Sequence, residues 1–357
     1  AQRITSTLMH AFGPKRLQWA LMITGFIVGI PLFYNVGFVL LVPIIFSIVY
    51  QTKMPAVYTG LPMLAALSVT HGFLPPHPAP SALVGQFHAN MGLTLLYGIT
   101  LAIPAIILAG PIFARTLKTL DTKPLATFQP TLLPEDKLPG TLTAFLASLL
   151  PVVLLAITTL LPMVRPMEGG TARLFIFFSE PSVVMIIALI YATFALGLGT
   201  GMSMKKVMDM YVEAVKDVSI ILLIVAGAGA LKEVFMQSGV SAQLASVMKT
   251  MSVHPLVLGW AIAALIRVAM GSATVAGLTA AGIIAPVMAT TAVDPNLMVL
   301  SIGAGSLMFS HVNDSGFWMF KEYFNLSIRD TIRSWSIMES IVSLVGLVGV
   351  LVLEKVI

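Results

Sequence analysis

Apolar residues tile this chain in runs about as long as a bilayer is thick, with short polar breaks between them. The main runs are Leu17 to Tyr34, Val36 to Tyr50, Met54 to Leu74, Met91 to Phe113, Thr141 to Met163, Ser182 to Met202, Val218 to Phe235, Pro255 to Met270 and Ser336 to Leu353. A spanning helix needs about 20 predominantly apolar residues, so the pattern predicts roughly eight spans plus two broken regions. Phe317 to Trp335 mixes aromatics with Lys321, Glu322, Arg329 and Arg333, which predicts an amphipathic helix in the membrane interface.

Two regions break the pattern. In the first, Val36 to Tyr50 follows Asn35 at once and is interrupted by Pro43, as in a re-entrant hairpin or discontinuous helix. It leads on to His71-Gly-Phe-Leu-Pro-Pro-His-Pro-Ala-Pro80, where four prolines cannot continue a helix and predict unwound backbone. The second runs from Gly271-Ser-Ala-Thr-Val-Ala-Gly277 through Pro286 and a turn at Asp294-Pro-Asn296 to Ser310-His-Val-Asn-Asp-Ser-Gly-Phe-Trp318. In hydrocarbon, backbone that leaves the helical path must be buried in protein or line a watery cavity. A small-residue break beside clustered polar groups therefore marks a substrate site, although tight helix packing uses the same small residues.

The two regions show one order of features about 240 residues apart: apolar span, small-residue break, Pro-containing run, a run ending in Thr70-His71 or Ser310-His311, and a polar segment. The expected fold is all-α, a polytopic integral membrane protein with two inverted repeats containing broken or re-entrant helices. Residues 1–113 would form the first repeat, 114–217 a cytoplasmic loop plus connecting helices, and 218–357 the second repeat. Lys and Arg between residues 114 and 140 and between 203 and 217 place those segments in the cytoplasm by the positive-inside rule.

Composition makes the membrane assignment firm: 57% of the 357 residues are hydrophobic, 10% are charged, and mean hydropathy is +0.96. With no cysteine there is no disulfide framework and no thiolate site. The net charge of +5 lies mostly in loops, as a topology signal rather than a nucleic-acid surface. A metal site at His71, His77 and His88 fails on ligand spacing, and no cofactor motif is present. Ser310 beside His311 is the only nucleophile and base pair at membrane depth, and adjacent residues on a helix do not face each other, so no enzyme is expected.

Ionisable residues inside apolar sequence are costly and carry the site hypothesis. Arg267 could hold a carboxylate or an internal partner such as Asp314. Asp314 could carry a proton or cap the helix that follows. His71, His77 and His311 could relay protons or serve as hydrogen-bonded structural residues. His10 and His254 sit at segment edges and carry nothing.

Four stretches resemble the gluconate permease family of the ion transporter superfamily: Gly271 to Gly277, Phe309 to Trp318, Lys321-Glu-Tyr-Phe-Asn-Leu326, and Ser68 to Pro78. The resemblance runs from Ala1 to Ile357. It implies a secondary transporter that couples protons to uptake of gluconate or a related sugar acid across the bacterial inner membrane, with a possible homodimer in the bilayer. Substrate contacts then fall to Arg267, Gly271, Ser272, Thr274, Asn313, His71 and His77, and proton coupling to Asp314, His311 or His71. A carrier for another small organic anion, or a passive channel, is the alternative. Family members usually begin with further helices, so additional sequence is expected ahead of Ala1. The sequence also departs from the family pattern at Asn35, where an acidic residue is common, and at Ser315, where proline is.

Overall fold

The computed structural model describes residues 2–30, 33–75, 77–120, 122, 138–164, 168–179, 181–216, 219, 230, 237–238, 253–288 and 291–357. Regular structure among them is entirely helical, as the apolar runs require: with no water to bind the backbone, each segment must satisfy its own amides. The helices are α1 (Gln2–Gly29), α2 (Tyr34–Thr52), α3 (Ala56–Phe73), α4 (Pro78–Gln86), α5 (Met91–Leu117), α6 (Thr141–Val164), α7 (Gly169–Ser179), α8 (Pro181–Ala192, with a wider turn to Gly197), α9 (Pro255–Met270), α10 (Ala273–Met288), α11 (Pro295–Gly305), α12 (Ser315–Tyr323) and α13 (Ile328–Glu354). Of these, α2, α5 and α13 are long and apolar enough to cross a membrane by themselves.

Local sequence sets the helix ends. Gly271 stops α9 at φ 69°, its amide bonding the Arg267 carbonyl at 2.8 Å, a conformation that suits glycine. Asp294 caps α11 by accepting from the Asn296 and Leu297 amides, with Pro295 in the first turn. Asn90 caps α5 through the Leu93 amide, and Asn296 accepts from the Asn90 amide and the Thr94 hydroxyl, tying α11 to α5.

One order of elements occurs twice. The Arg16–Gly29 part of α1, a break, α2, α3, a break and α4 are matched later by α9, a break, α10, α11, a break and α12. Moreover, α1 packs on α3 as α9 packs on α11. The two units meet where α11 and α13 lie against α3 and α5 and where α10 lies against α4.

The helices correct three expectations. Residues 34–52 form one continuous helix through Pro43, so the break in that region lies before Tyr34. The proline run unwinds only between α3 and α4, because Pro78 occupies a helix first turn where its missing amide costs nothing. Phe317 to Trp335 is not an interfacial helix: Phe317, Phe320 and Trp335 are buried, Phe38 meets Tyr323 at 5.3 Å, and Trp335 stacks on Phe320 at 5.4 Å. Charge and aromatic spacing suit an interface as well as a core, and partners on α2 settle the matter. The Lys123 and Lys137 loop and the Gly227 to Gly229 motif lie outside the described residues.

Candidate functional site

Both breaks open into one cavity of about 360 Å³, within the ~300–1,000 Å³ of small-molecule sites. Three helix N-termini converge on it: Tyr34 and Asn35 begin α2, Ala273 and Thr274 begin α10, and Ser315 and Gly316 begin α12. The first amides of a helix lack intrahelical acceptors and carry partial positive charge, so three such ends around one space favour an anion.

Arg267 projects into this space from the last turn of α9, with 4% of its surface exposed. Its Nη2 pairs with the Asp314 carboxylate, which also accepts from the Ser310 hydroxyl and, at 3.0 Å, from the Gly316 amide. Asp314 is thus both the cap of α12 and the internal partner of Arg267. Trp335 Nε1 donates to Ser310 at 2.7 Å and fixes that hydroxyl. Arg267 keeps Nε and Nη1 without a partner.

The remaining polar wall has the same character. Asn313 donates Nδ2 to the Val268 and Ala269 carbonyls at 2.8 and 3.1 Å, closing the end of α9, and leaves Oδ1 unpartnered. Among the described residues, nine buried side-chain polar atoms lack a partner. Seven of them belong to Tyr34, His71, Arg267, Asn313 and Glu339, all in this cavity wall. Folded proteins rarely leave such atoms unpaired, so the cluster marks a space that water or a polar ligand fills.

The structure brings Arg267, Gly271, Ser272, Thr274, Asn313, Asp314 and His71 to this wall. His77 stands behind it, its Nε2 2.7 Å from the Gly29 carbonyl at the end of α1 and its ring 5.2 Å from that of His71. His311 also lies off the wall, 2.9 Å from the Val268 carbonyl, where it holds the loop before α12 onto α9. The small residues between Gly271 and Gly282 divide by position. The first few line the cavity, while Ala276, Ala280 and Ala281 are fully buried in the packing of α10.

Sequence reasoning passed over Tyr34, Ser68, Trp335 and Glu339, which also line the cavity. Glu339 had a readable signal, as the one charged residue between Arg333 and Glu354 in the last apolar run. Tyr34 and Trp335 had none, being ordinary residues of apolar helices, whereas Ser68 opens one of the stretches that carry the family resemblance.

Apolar helices interrupted around a buried polar cavity are the architecture of a multi-pass membrane protein that handles a polar solute. The chain belongs to the GntP family of permeases, whose family model matches residues 1–357. It is 49% identical to the "High-affinity gluconate transporter" of Escherichia coli (strain K12) over 358 residues, covering all of this chain and 82% of that protein. It is 45% identical to the "Gnt-II system L-idonate transporter" of the same organism, covering all of this chain and 81% of that protein. Identity to the "Gluconate permease" of Bacillus subtilis (strain 168) is 40% over 369 residues, again across the whole chain and 82% of the relative. No solved structure matches.

Proposed function

We propose that the protein takes up gluconate or a closely related sugar acid, coupled to protons, across the bacterial inner membrane. The observation that carries this reading is the half-used guanidinium of Arg267, which faces the convergent ends of α2, α10 and α12. A substrate carboxylate there meets a charged donor that is still unpartnered, Nε or Nη1, in a charge-assisted hydrogen bond. Ser272, Thr274 and Asn313 Oδ1 then face the hydroxyl-bearing chain, and Gly271 lets the loop approach. The relatives named for gluconate and for L-idonate point to the same class of ligand.

The proton belongs to a titratable group of the same wall, where Asp314 and His71 stand; His77 and His311 serve the site from behind. Residues 1–113 and 218–357 act as two inverted repeats with the substrate at their interface, and 114–217 supplies the cytoplasmic loop and connecting helices. A homodimer in the bilayer completes the proposal. The test is uptake of radiolabelled gluconate into vesicles, with and without an inward proton gradient, with L-idonate as competitor. Accumulation that a protonophore abolishes supports the symporter; downhill flux indifferent to the gradient overturns it in favour of a channel.

A further inference from the structure

Glu339 lies on α13 just after the widened turn at Ile332–Ser336, a distortion that often accompanies functional positions in helices. It is 1% exposed and lines the substrate cavity. Neither carboxyl oxygen has a hydrogen-bond partner, although the Ser68 hydroxyl of α3 faces it. The charged and titratable groups that face it are Arg267 from α9, Asp314 from the cap of α12, Tyr34 from α2 and His71 from α3. α5 and α11, also packed on α13, bring no titratable side chain to the cavity wall.

Asp314 and Glu339 share one cation, and their surroundings separate their roles. Asp314 is held by Arg267, Ser310 and Gly316, all of which donate to it. Glu339 has only the Ser68 hydroxyl facing it, with no amide or guanidinium bonded to its oxygens among the described residues. Among the described residues, its only nearby positive charge is a guanidinium that already serves Asp314 and is the one Lys or Arg side chain in the cavity wall.

We propose that Glu339 is the proton-binding residue that couples the proton to substrate, while Asp314 serves as the fixed partner of Arg267. This rests on the proton-coupled reading above and deepens it. With the cavity empty, Arg267, Asp314 and an ionised Glu339 carry one net negative charge. An entering carboxylate would make it two around a single guanidinium in a low-dielectric space. A proton bound to a Glu339 oxygen cancels that increment and frees the open side of Arg267 for substrate. On the far side the O–H bond breaks, the proton returns to water, and the restored carboxylate expels the substrate anion. Binding of proton and substrate is then reciprocally favourable.

The experiment is calorimetric titration of the purified protein with gluconate in buffers of different ionisation heat, alongside uptake in proteoliposomes. The wild type should take up about one proton per gluconate, and its affinity should weaken about tenfold per pH unit at the alkaline end. Glu339→Gln should take up none, bind with a pH-independent affinity, and lose uphill accumulation. Proton uptake or uphill accumulation that persists in Glu339→Gln overturns the inference alone. A wild type that transports gluconate without proton dependence removes the reading beneath it. Should Glu339→Gln fail to fold, Glu339→Asp carries the test: coupling should persist over a displaced pH range, and an unmoved pH profile overturns the proposal.

Discussion

Arg267 and Asp314 are 47 residues apart in sequence and form a buried ion pair that uses only one nitrogen of the guanidinium. The pair fixes the charge at the end of α9 and the cap of α12 together, and leaves Nε and Nη1 open to the cavity.

Lysine should not substitute for this side chain. Its one ammonium nitrogen cannot hold Asp314 and a substrate carboxylate at the two separate places that the guanidinium nitrogens reach. Arg267→Lys should therefore weaken gluconate binding by roughly 10- to 150-fold, the equivalent of one charge-assisted hydrogen bond of about 1.5–3 kcal/mol. Uptake kinetics in vesicles check this through the Michaelis constant.

Asp314→Asn should cost more than affinity. An amide still caps α12, but Arg267 loses the carboxylate it is bonded to, and breaking a buried pair typically costs about 3–5 kcal/mol. The expected result is a lower melting temperature in detergent together with loss of gradient-driven accumulation. Downhill flux that survives intact would point to a channel.

Gly271 and Gly282 should respond in opposite directions to alanine. A Cβ at Gly271 would strike the Asn313 backbone carbonyl, at a φ of 69° that already costs an L-residue about 1–2 kcal/mol. Gly282 has open space around its added Cβ and lies within α10, so Gly282→Ala should be neutral or stabilising by up to about 1 kcal/mol. Thermal melts of the two variants, with uptake lost in Gly271→Ala, check the contrast.

Trp335 reaches Asp314 through Ser310, so the two supporting residues should be coupled. Ser310→Ala and Trp335→Phe should each reduce stability, and the double variant should lose less than the sum. A coupling energy of about 0.5–3 kcal/mol in a double-mutant cycle is expected for one shared network.

His71 and His77 should separate by phenotype despite their touching rings. Removing His77 leaves the Gly29 carbonyl unpaired, so His77→Ala should lower stability by about 1–3 kcal/mol. His71 faces the cavity, and His71→Ala should alter uptake with a smaller change in melting temperature. Parallel melts and transport assays distinguish them.

Much of this molecule was legible in its sequence. The apolar runs determine a helical membrane protein because a chain in hydrocarbon has to pair its own amides. Gly271, Pro78, Asp294 and Asp314 mark helix boundaries through local backbone chemistry that needs no distant partner. The cost of ionisable groups in apolar sequence singled out Arg267 and Asp314, and residues of the family motifs at 271–277 and 309–318 line the cavity that the fold builds. Tertiary structure decided which of those residues meet. An apolar run can show that a buried charge requires a partner, but the partner lies on another helix, and helical spacing contains no information about it. For that reason His71 reaches the cavity while His77 and His311 brace its walls, and Phe317 to Trp335 lies in the core. Glu339, an isolated acid by sequence, became the unpaired carboxyl opposite Arg267 only when the turn before it and the packing of α13 carried it into the cavity wall.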